Sequence, residues 1–143
     1  MLIGSYTVNL SQGRRVAIPF KFRKSLGKDP IIAKWYENCL VIVSKSDWES
    51  LLEKLTGTNN NLTGNVRDTD RFILGSAYEL KLDSQGRIVI PDKLSKYANI
   101  VEEATFLGLG KRIELWDTKT WEKREKFIAE YAASLIERIA KNE

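Results

Sequence analysis

Sliding the chain along itself by 72 residues lays one motif over a second copy of itself, and this duplication restricts the fold more than any other feature. Tyr6 falls on Tyr78, Leu10 on Leu82, Arg15 on Arg87, Ile18 on Ile90, Pro19 on Pro91, Lys21 on Lys93 and Lys24 on Lys96. Val8 meets Leu80 and Val16 meets Ile88, so the apolar periodicity repeats as well. With one residue inserted, Leu40 to Val43 meets Ile113 to Trp116, and Trp48 meets Trp121. Self-similarity at a fixed spacing marks duplicated supersecondary units. Two copies are too few for a solenoid, so the expectation is a single pseudo-symmetric α+β domain.

The motif is clearest in the second copy. Tyr78, Leu80 and Leu82 alternate before Ser84-Gln85-Gly86, and Ile88 and Ile90 alternate after it. Alternation flanking turn chemistry predicts two strands in a hairpin-like unit. Asp83 can hydrogen-bond within the turn, and Gly86 can take a positive φ. Arg87 then projects from a rigid strand end, and Pro91 suits the first position of a helix. The first copy repeats this as a strand over Ser5 to Leu10, a turn over Ser11 to Arg14 and a strand over Arg15 to Ile18.

The other expected elements follow in order. A helix runs from Pro19 to about Leu26 and stops at Gly27. Strands cover Ile31 to Trp35 and Cys39 to Ser44, with Tyr36 to Asn38 as the turn between them. Ser46-Asp47-Trp48-Glu49 has capping-box form and starts a helix to about Leu55, whose apolar face is Leu51, Leu52 and Leu55. Thr56 to Asn65 reads as a flexible linker, and Asp68 to Gly75 as a short helix. A further helix covers Pro91 to Tyr97. Strands over Ala104 to Gly108 and Arg112 to Trp116 follow, with Gly108-Leu109-Gly110 as a hairpin turn. From Thr118 to Lys141, Trp121, Phe127, Ile128, Tyr131, Leu135, Ile136 and Ile139 follow the spacing of a long amphipathic helix. That helix either packs on its own domain or meets a neighbouring subunit. The repeats are placed at 5–47 and 76–119, and the C-terminal helix at 120–143.

Composition removes several functions. The 143 residues include no histidine and one cysteine. Imidazole bases, Ser-His-Asp and Cys-His arrangements, His-ligated zinc and an internal disulfide are therefore excluded. No phosphate-binding glycine loop occurs, and no metal or cofactor is expected. Cys39 reads as a small core residue. No apolar run approaches the roughly 20 residues of a membrane span, and the N-terminus lacks signal-peptide character, which favours the cytoplasm. Carboxylates lie mostly beside lysines, as on solvated helix faces, so catalysis is not expected. The net charge of +4 is concentrated: Arg14, Arg15, Lys21, Arg23, Lys24 and Lys28 precede the first acid of that stretch, Asp29. A basic cluster beside a tight turn is an electrostatic footprint suited to nucleic acid.

The duplicated Tyr-x-x-x-Leu-Asp-x-x-Gly-Arg-[Ile/Val]-x-Ile-Pro pattern, with a tryptophan-bearing helix after each copy, resembles the MraZ family. Those proteins are tandem members of the AbrB/SpoVT superfamily of swapped-hairpin DNA-binding domains. The resemblance spans roughly Met1 to Lys126. It implies two tandem swapped-hairpin units in one compact domain and a transcriptional regulator associated with the nucleoid. It further implies an oligomer, a ring of subunits, binding short repeated promoter boxes in double-stranded DNA and repressing its own division and cell-wall cluster. An antitoxin-like protein-interaction module of the same superfamily is the alternative; the helix-forming C-terminus speaks against it.

The resemblance points to Arg14, Arg15, Gln85, Arg87, Lys21, Arg23, Lys24 and Lys93 as DNA-binding, with Ser11 and Asp83 bracing the loops. The second copy has the full Asp83-Ser84-Gln85-Gly86-Arg87 signature. The first departs from it: Ser11 replaces the aspartate and Arg14 the glycine. Asp83 can accept from turn N–H groups and pair with Arg87, so the first loop is expected to be more basic and less braced. A salt bridge within the fold is the other reading of Arg15 and Arg87, and a solvated helix face that of Lys21, Lys24, Lys93 and Lys96.

Overall fold

The computed structural model describes residues 1–57 and 63–142. A six-stranded antiparallel sheet is assembled from β1 (Leu2–Asn9), β7 (Glu103–Gly110), β8 (Arg112–Asp117), β4 (Leu40–Val43), β3 (Ile31–Lys34) and β5 (Tyr78–Glu79), in that order. A separate two-stranded ribbon pairs β2 (Arg15–Ala17) with β6 (Arg87–Val89). Exchanging the two sequence copies swaps β1 with β5, β7 with β3 and β8 with β4. The strand order then reads the same from the other end, so the sheet has an internal pseudo-twofold.

The register locates that axis. In the ribbon, Val16 stands opposite Ile88, its own counterpart at the 72-residue shift. In the sheet, Val41 stands opposite Glu114, its counterpart after the one-residue insertion. The strands flanking each turn therefore do not form a hairpin with each other. After the Ser11–Arg15 bridge the chain diverges: β1 pairs with β7 and β2 with β6, both from the other half. Alternation specifies which side chains are buried and leaves the partner strand open. The interlocked pairing agrees with the swapped-hairpin arrangement and replaces the local hairpin.

Two cores lie on opposite faces of the sheet. On one face, Ile32, Leu40, Ile42, Phe106, Ile113 and Leu115 meet Val16, Ile18, Ile88 and Ile90 of the ribbon. Phe22 and Leu26 of α1 (Phe20–Leu26) and Leu94 and Ala98 of α4 (Asp92–Ala98) complete that core. On the other face, Ala33, Trp35, Val41, Val43 and Trp116 meet Leu51, Leu52 and Leu55 of α2 (Lys45–Thr56), Phe72 and Ile73 of α3 (Gly64–Ile73), and Trp121 of α5 (Thr118–Ala140). All four residues of β4 are buried, as expected of a central strand covered on both sides. Cys39 is buried in the second core, which pushes its thiol pKa upward through desolvation.

Several local expectations change. The N-cap of α2 is Ser44, whose Oγ accepts from the Asp47 N–H at 3.2 Å, and not Ser46. β4 ends at Val43, so Ser44 is the first residue free to cap. The expected linker is shorter at both ends: Thr56 closes α2, and Gly64 and Asn65 open α3 behind a Thr63 cap. Residues 58–62 of that linker lie outside the described residues. The strand expected through Leu82 stops at Glu79; Leu80 N–H reaches the Pro30 carbonyl, but Pro30 has no N–H to continue the ladder. Gly108 to Gly110 belongs to β7, and the turn falls at Lys111.

Gly108 has a packing reason. A Cβ there would meet the Ile3 nitrogen at 2.6 Å and the Leu2 carbonyl carbon at 2.7 Å, backbone atoms that cannot swing aside. Gly108→Ala is expected to destabilise by about 1–3 kcal/mol, read as a lower urea midpoint at unchanged slope. Gly75→Ala is the control, because nothing lies within 4 Å of a Cβ there.

Candidate functional site

The ribbon places the two loops. Val16, Ile18, Ile88 and Ile90 point into the core, so Arg15 and Ala17 of β2 and Arg87 and Val89 of β6 share the opposite, outward face. Arg15 stands opposite Val89, and Ala17 opposite Arg87. The two arginines are thus diagonal neighbours, with backbones roughly 7–8 Å apart across the ribbon. Because the strands are antiparallel, the two loops sit at opposite ends of the ribbon.

The second loop is held by Asp83. Its Oδ1 accepts from the backbone N–H of Gln85 and of Arg87, each at 2.9 Å, and its Oδ2 accepts from Arg87 Nε at 2.7 Å. Gly86 N–H closes the turn onto the Asp83 carbonyl, and Asp83 N–H bonds the Arg87 carbonyl. These bonds favour the carboxylate: the Arg87 N–H first, then the Arg87 side chain and the Gln85 N–H, hold the Asp83 pKa below its usual value against some desolvation. Gln85 is exposed at the tip.

The first loop has no such carboxylate. Ser11 N–H bonds the Arg15 carbonyl at 2.8 Å, and Ser11 Oγ reaches the same carbonyl at 3.4 Å. Arg15 Nη1 folds back onto the Gln12 carbonyl at 3.1 Å. Arg14 occupies the position of Gly86 and, like it, has a positive φ, 58° against 75°. Arg14 has contacts of its own. Its Nε donates to the Ile90 carbonyl at 3.0 Å, and Nη1 lies 3.8 Å from Asp92 Oδ1.

The basic stretch from Arg14 to Lys28 is contiguous in sequence but divided in space. Arg23, on α1, lies over Gly86 of the second loop. Its Nε donates to the Ile18 carbonyl at 2.9 Å, and its guanidinium carbon stands 5.7 Å from the centroid of the exposed Phe20 ring. Lys21 and Lys24 are exposed on the same helix. Lys93 is exposed on α4, the helix whose Asp92 approaches Arg14. Each loop therefore stands beside the helix of the other half. Phe20 and Asp92 were not among the residues singled out from sequence, although the 72-residue shift aligns them with each other. Chemically, the outward face offers forked, planar donors suited to phosphate oxygens or to a guanine edge. Among the described residues no acidic or thiol cluster suits a metal ion, and no helix is long and apolar enough to cross a membrane.

The family model described as "MraZ protein, putative antitoxin-like" matches this chain twice, over residues 1–72 and 73–141. Curated relatives carry the name Transcriptional regulator MraZ. The protein of Alkaliphilus oremlandii is 41% identical over 126 residues, 86% of this chain and 85% of the relative. That of Caldanaerobacter subterraneus subsp. tengcongensis is 37% identical over 126 residues, 88% of this chain and 87% of the relative. That of Syntrophomonas wolfei subsp. wolfei is 35% identical over 142 residues, 99% of this chain and 96% of the relative.

The Asp83 geometry makes a pH prediction. A carboxylate whose folded pKa is lowered contributes stability above its unfolded value, and loses it as pH falls through the folded value. The Gln85 and Arg87 amide proton shifts should titrate together with a midpoint below 3.8, the ordinary value for Asp83. In Asp83→Asn that shared transition should vanish. Amide shifts that move independently, or a midpoint above 3.8, contradict the bracing role.

Proposed function

The chain belongs to the MraZ family, and from that premise we propose that it is a DNA-binding transcriptional regulator whose contact surface is the β2–β6 ribbon with its two end loops. The observation that carries this reading is the pair Arg15 and Arg87 on the exposed face of a ribbon whose other face is anchored in the core. A two-stranded ribbon fits the width of the DNA major groove, and arginine forks there read guanine O6 and N7. Anchoring the inner face fixes the arginine backbones before DNA arrives, which lowers the ordering cost of binding.

In this reading the residues divide by role. Arg87, held by Asp83, supplies base discrimination, and Gln85 reaches out from the loop tip beside it. Arg14, Arg15, Lys21, Lys24 and Lys93 supply charge to the backbone phosphates, which position the duplex without reading it, and Arg23 adds its charge over the second loop. Ser11 closes the first loop without adding charge. The name carried by the relatives supports regulation of transcription; repression of the chain's own gene cluster through repeated promoter boxes is part of the proposal.

Assembly belongs to the same proposal. Phe127, Tyr131, Leu135, Ile136 and Ile139 on α5 are exposed beyond its packed first turns. Packing on its own domain therefore accounts only for the start of this helix. A self-association surface here suits repeated boxes, because linked subunits raise avidity without new contacts per site.

Competition titrations test the division of roles. Arg87→Ala should reduce the preference for a duplex of repeated boxes over a scrambled one by about 1–3 kcal/mol. Lys93→Ala should weaken both about equally and lower the salt slope by about 1. For the wild type, log K should fall with log salt by about 0.9 per neutralised phosphate. Binding indifferent to salt, or an Arg87→Ala variant with the wild-type preference, is incompatible with this reading. Truncation after Lys126 should lower the mass measured by light scattering while leaving a cooperative melt.

A further inference from the structure

The pseudo-twofold brings three pairs of unlike residues into matching positions: Arg14 with Gly86, Arg23 with Ser95, and Phe20 with Asp92. At each end of the ribbon one guanidinium occupies the same relative place. At the second loop it is Arg23, whose Nε donates to the Ile18 carbonyl at 2.9 Å. At the first loop it is Arg14, whose Nε donates to the Ile90 carbonyl at 3.0 Å. Ile18 and Ile90 are themselves counterparts, and their N–H groups bond the carbonyls of Gly86 and Arg14 respectively, each at 3.0 Å. One arginine thus comes from the helix of the opposite half, and the other from the loop itself.

At the second loop a side chain at residue 86 and the Arg23 guanidinium compete for one place. A Cβ on Gly86 would fall on the Arg23 guanidinium, so a side chain there must displace Arg23. At the first loop the helix position holds Ser95, buried, with Oγ donating to the Ile100 carbonyl at 2.7 Å. It leaves the place to Arg14. The surroundings differ in charge as well. Arg23 leans on the Phe20 ring, and no ion pair to it occurs among the described residues within 4.0 Å. Arg14 faces Asp92, which also holds Lys96 at 3.1 Å.

We propose that Arg23 is the positioning residue of the second loop, seating it through the glycine-width gap at Gly86 and adding an uncompensated charge beside Arg87. Arg14 with Ser95 is the alternative solution of the same site at the first loop, muted by Asp92. The departure of the first loop from the Asp-x-x-Gly-Arg signature is then a relocation of an arginine from helix to loop. The specificity-bearing end of the ribbon is composite, with Arg87 from the second half and Arg23 from the first. This rests on the DNA-binding reading for its functional part, and on the fold alone for the exchange.

A double-mutant cycle tests it with wild type, Arg23→Ser, Gly86→Arg and the double variant, which installs the Arg14/Ser95 arrangement at the second loop. Arg14 already tolerates the positive φ that Gly86→Arg requires. Melting is measured without DNA. Preference is measured by competition between a duplex of the chain's own upstream region and a scrambled duplex of equal length. Gly86→Arg alone should lower the melting midpoint by about 5 °C and cut the preference by about tenfold. Adding Arg23→Ser should recover at least half of the lost midpoint and bring the preference to within about threefold of wild type. A double variant no better than Gly86→Arg, or losses that simply add, overturns the exchange. An Arg23→Ser variant with unchanged preference overturns the positioning role. Should Gly86→Arg fail to fold, Gly86→Ala serves: its cost must be smaller on the Arg23→Ser background than on the wild type. If wild type binds neither duplex, the DNA reading fails while the melting cycle still decides the exchange.

Discussion

The pairing of two strands with their own counterparts, β2 with β6 at Val16 against Ile88 and β4 with β8 at Val41 against Glu114, is the constraint on which the rest of the molecule depends. Neither half contains a closed sheet. The first half contributes β1, β3 and β4, the second β5, β7 and β8, and each outer strand lies on an inner strand of the other half. Apolar burial follows from this: the ribbon's inner residues reach one sheet face only when both halves are present. The burial that stabilises the fold and the geometry that aims Arg15 and Arg87 outward come from the same pairing.

Symmetry in the backbone does not extend to the side chains. The second loop gains rigidity from a carboxylate with three acceptor contacts. The first has no carboxylate: Ser11 Oγ reaches the Arg15 carbonyl at 3.4 Å, Arg15 Nη1 the Gln12 carbonyl and Arg14 Nε the Ile90 carbonyl, beside the backbone bonds. One end of the ribbon therefore holds its arginine by a carboxylate, and the other by a carbonyl. A nearly symmetric backbone with such unequal ends has a built-in polarity along the ribbon.

Much of this was legible in the residues, and the failures have common causes. The 72-residue shift placed both turns, both short helices and the β3–β4 and β7–β8 strands, because apolar alternation and Gly or Pro punctuation are local signals. Partner choice was not legible, since alternation is the same whichever strand lies alongside. Nor was the early end of β5, which depends on Pro30 being its neighbour. Asp83 and Arg87 could be paired on paper because they are four residues apart in one turn. The division of the basic cluster between the two loops could not, because Arg23 reaches Gly86 only through the interlocking of the halves. The clue was present in the unlike pairs Arg14/Gly86 and Arg23/Ser95 of the shifted alignment.

The register of β1 has a consequence for biosynthesis. Leu2 pairs with Gly110 and Asn9 with Glu103, so β1 leaves the ribosome well before β7, the strand it pairs with. At translation rates of about 5–20 residues per second, that strand stays without its partner for seconds while the intervening chain is made. During that interval the nascent N-terminal half carries an unsatisfied strand edge and an uncovered apolar face. Duplication within one polypeptide puts the matching half on the same chain, at high local concentration.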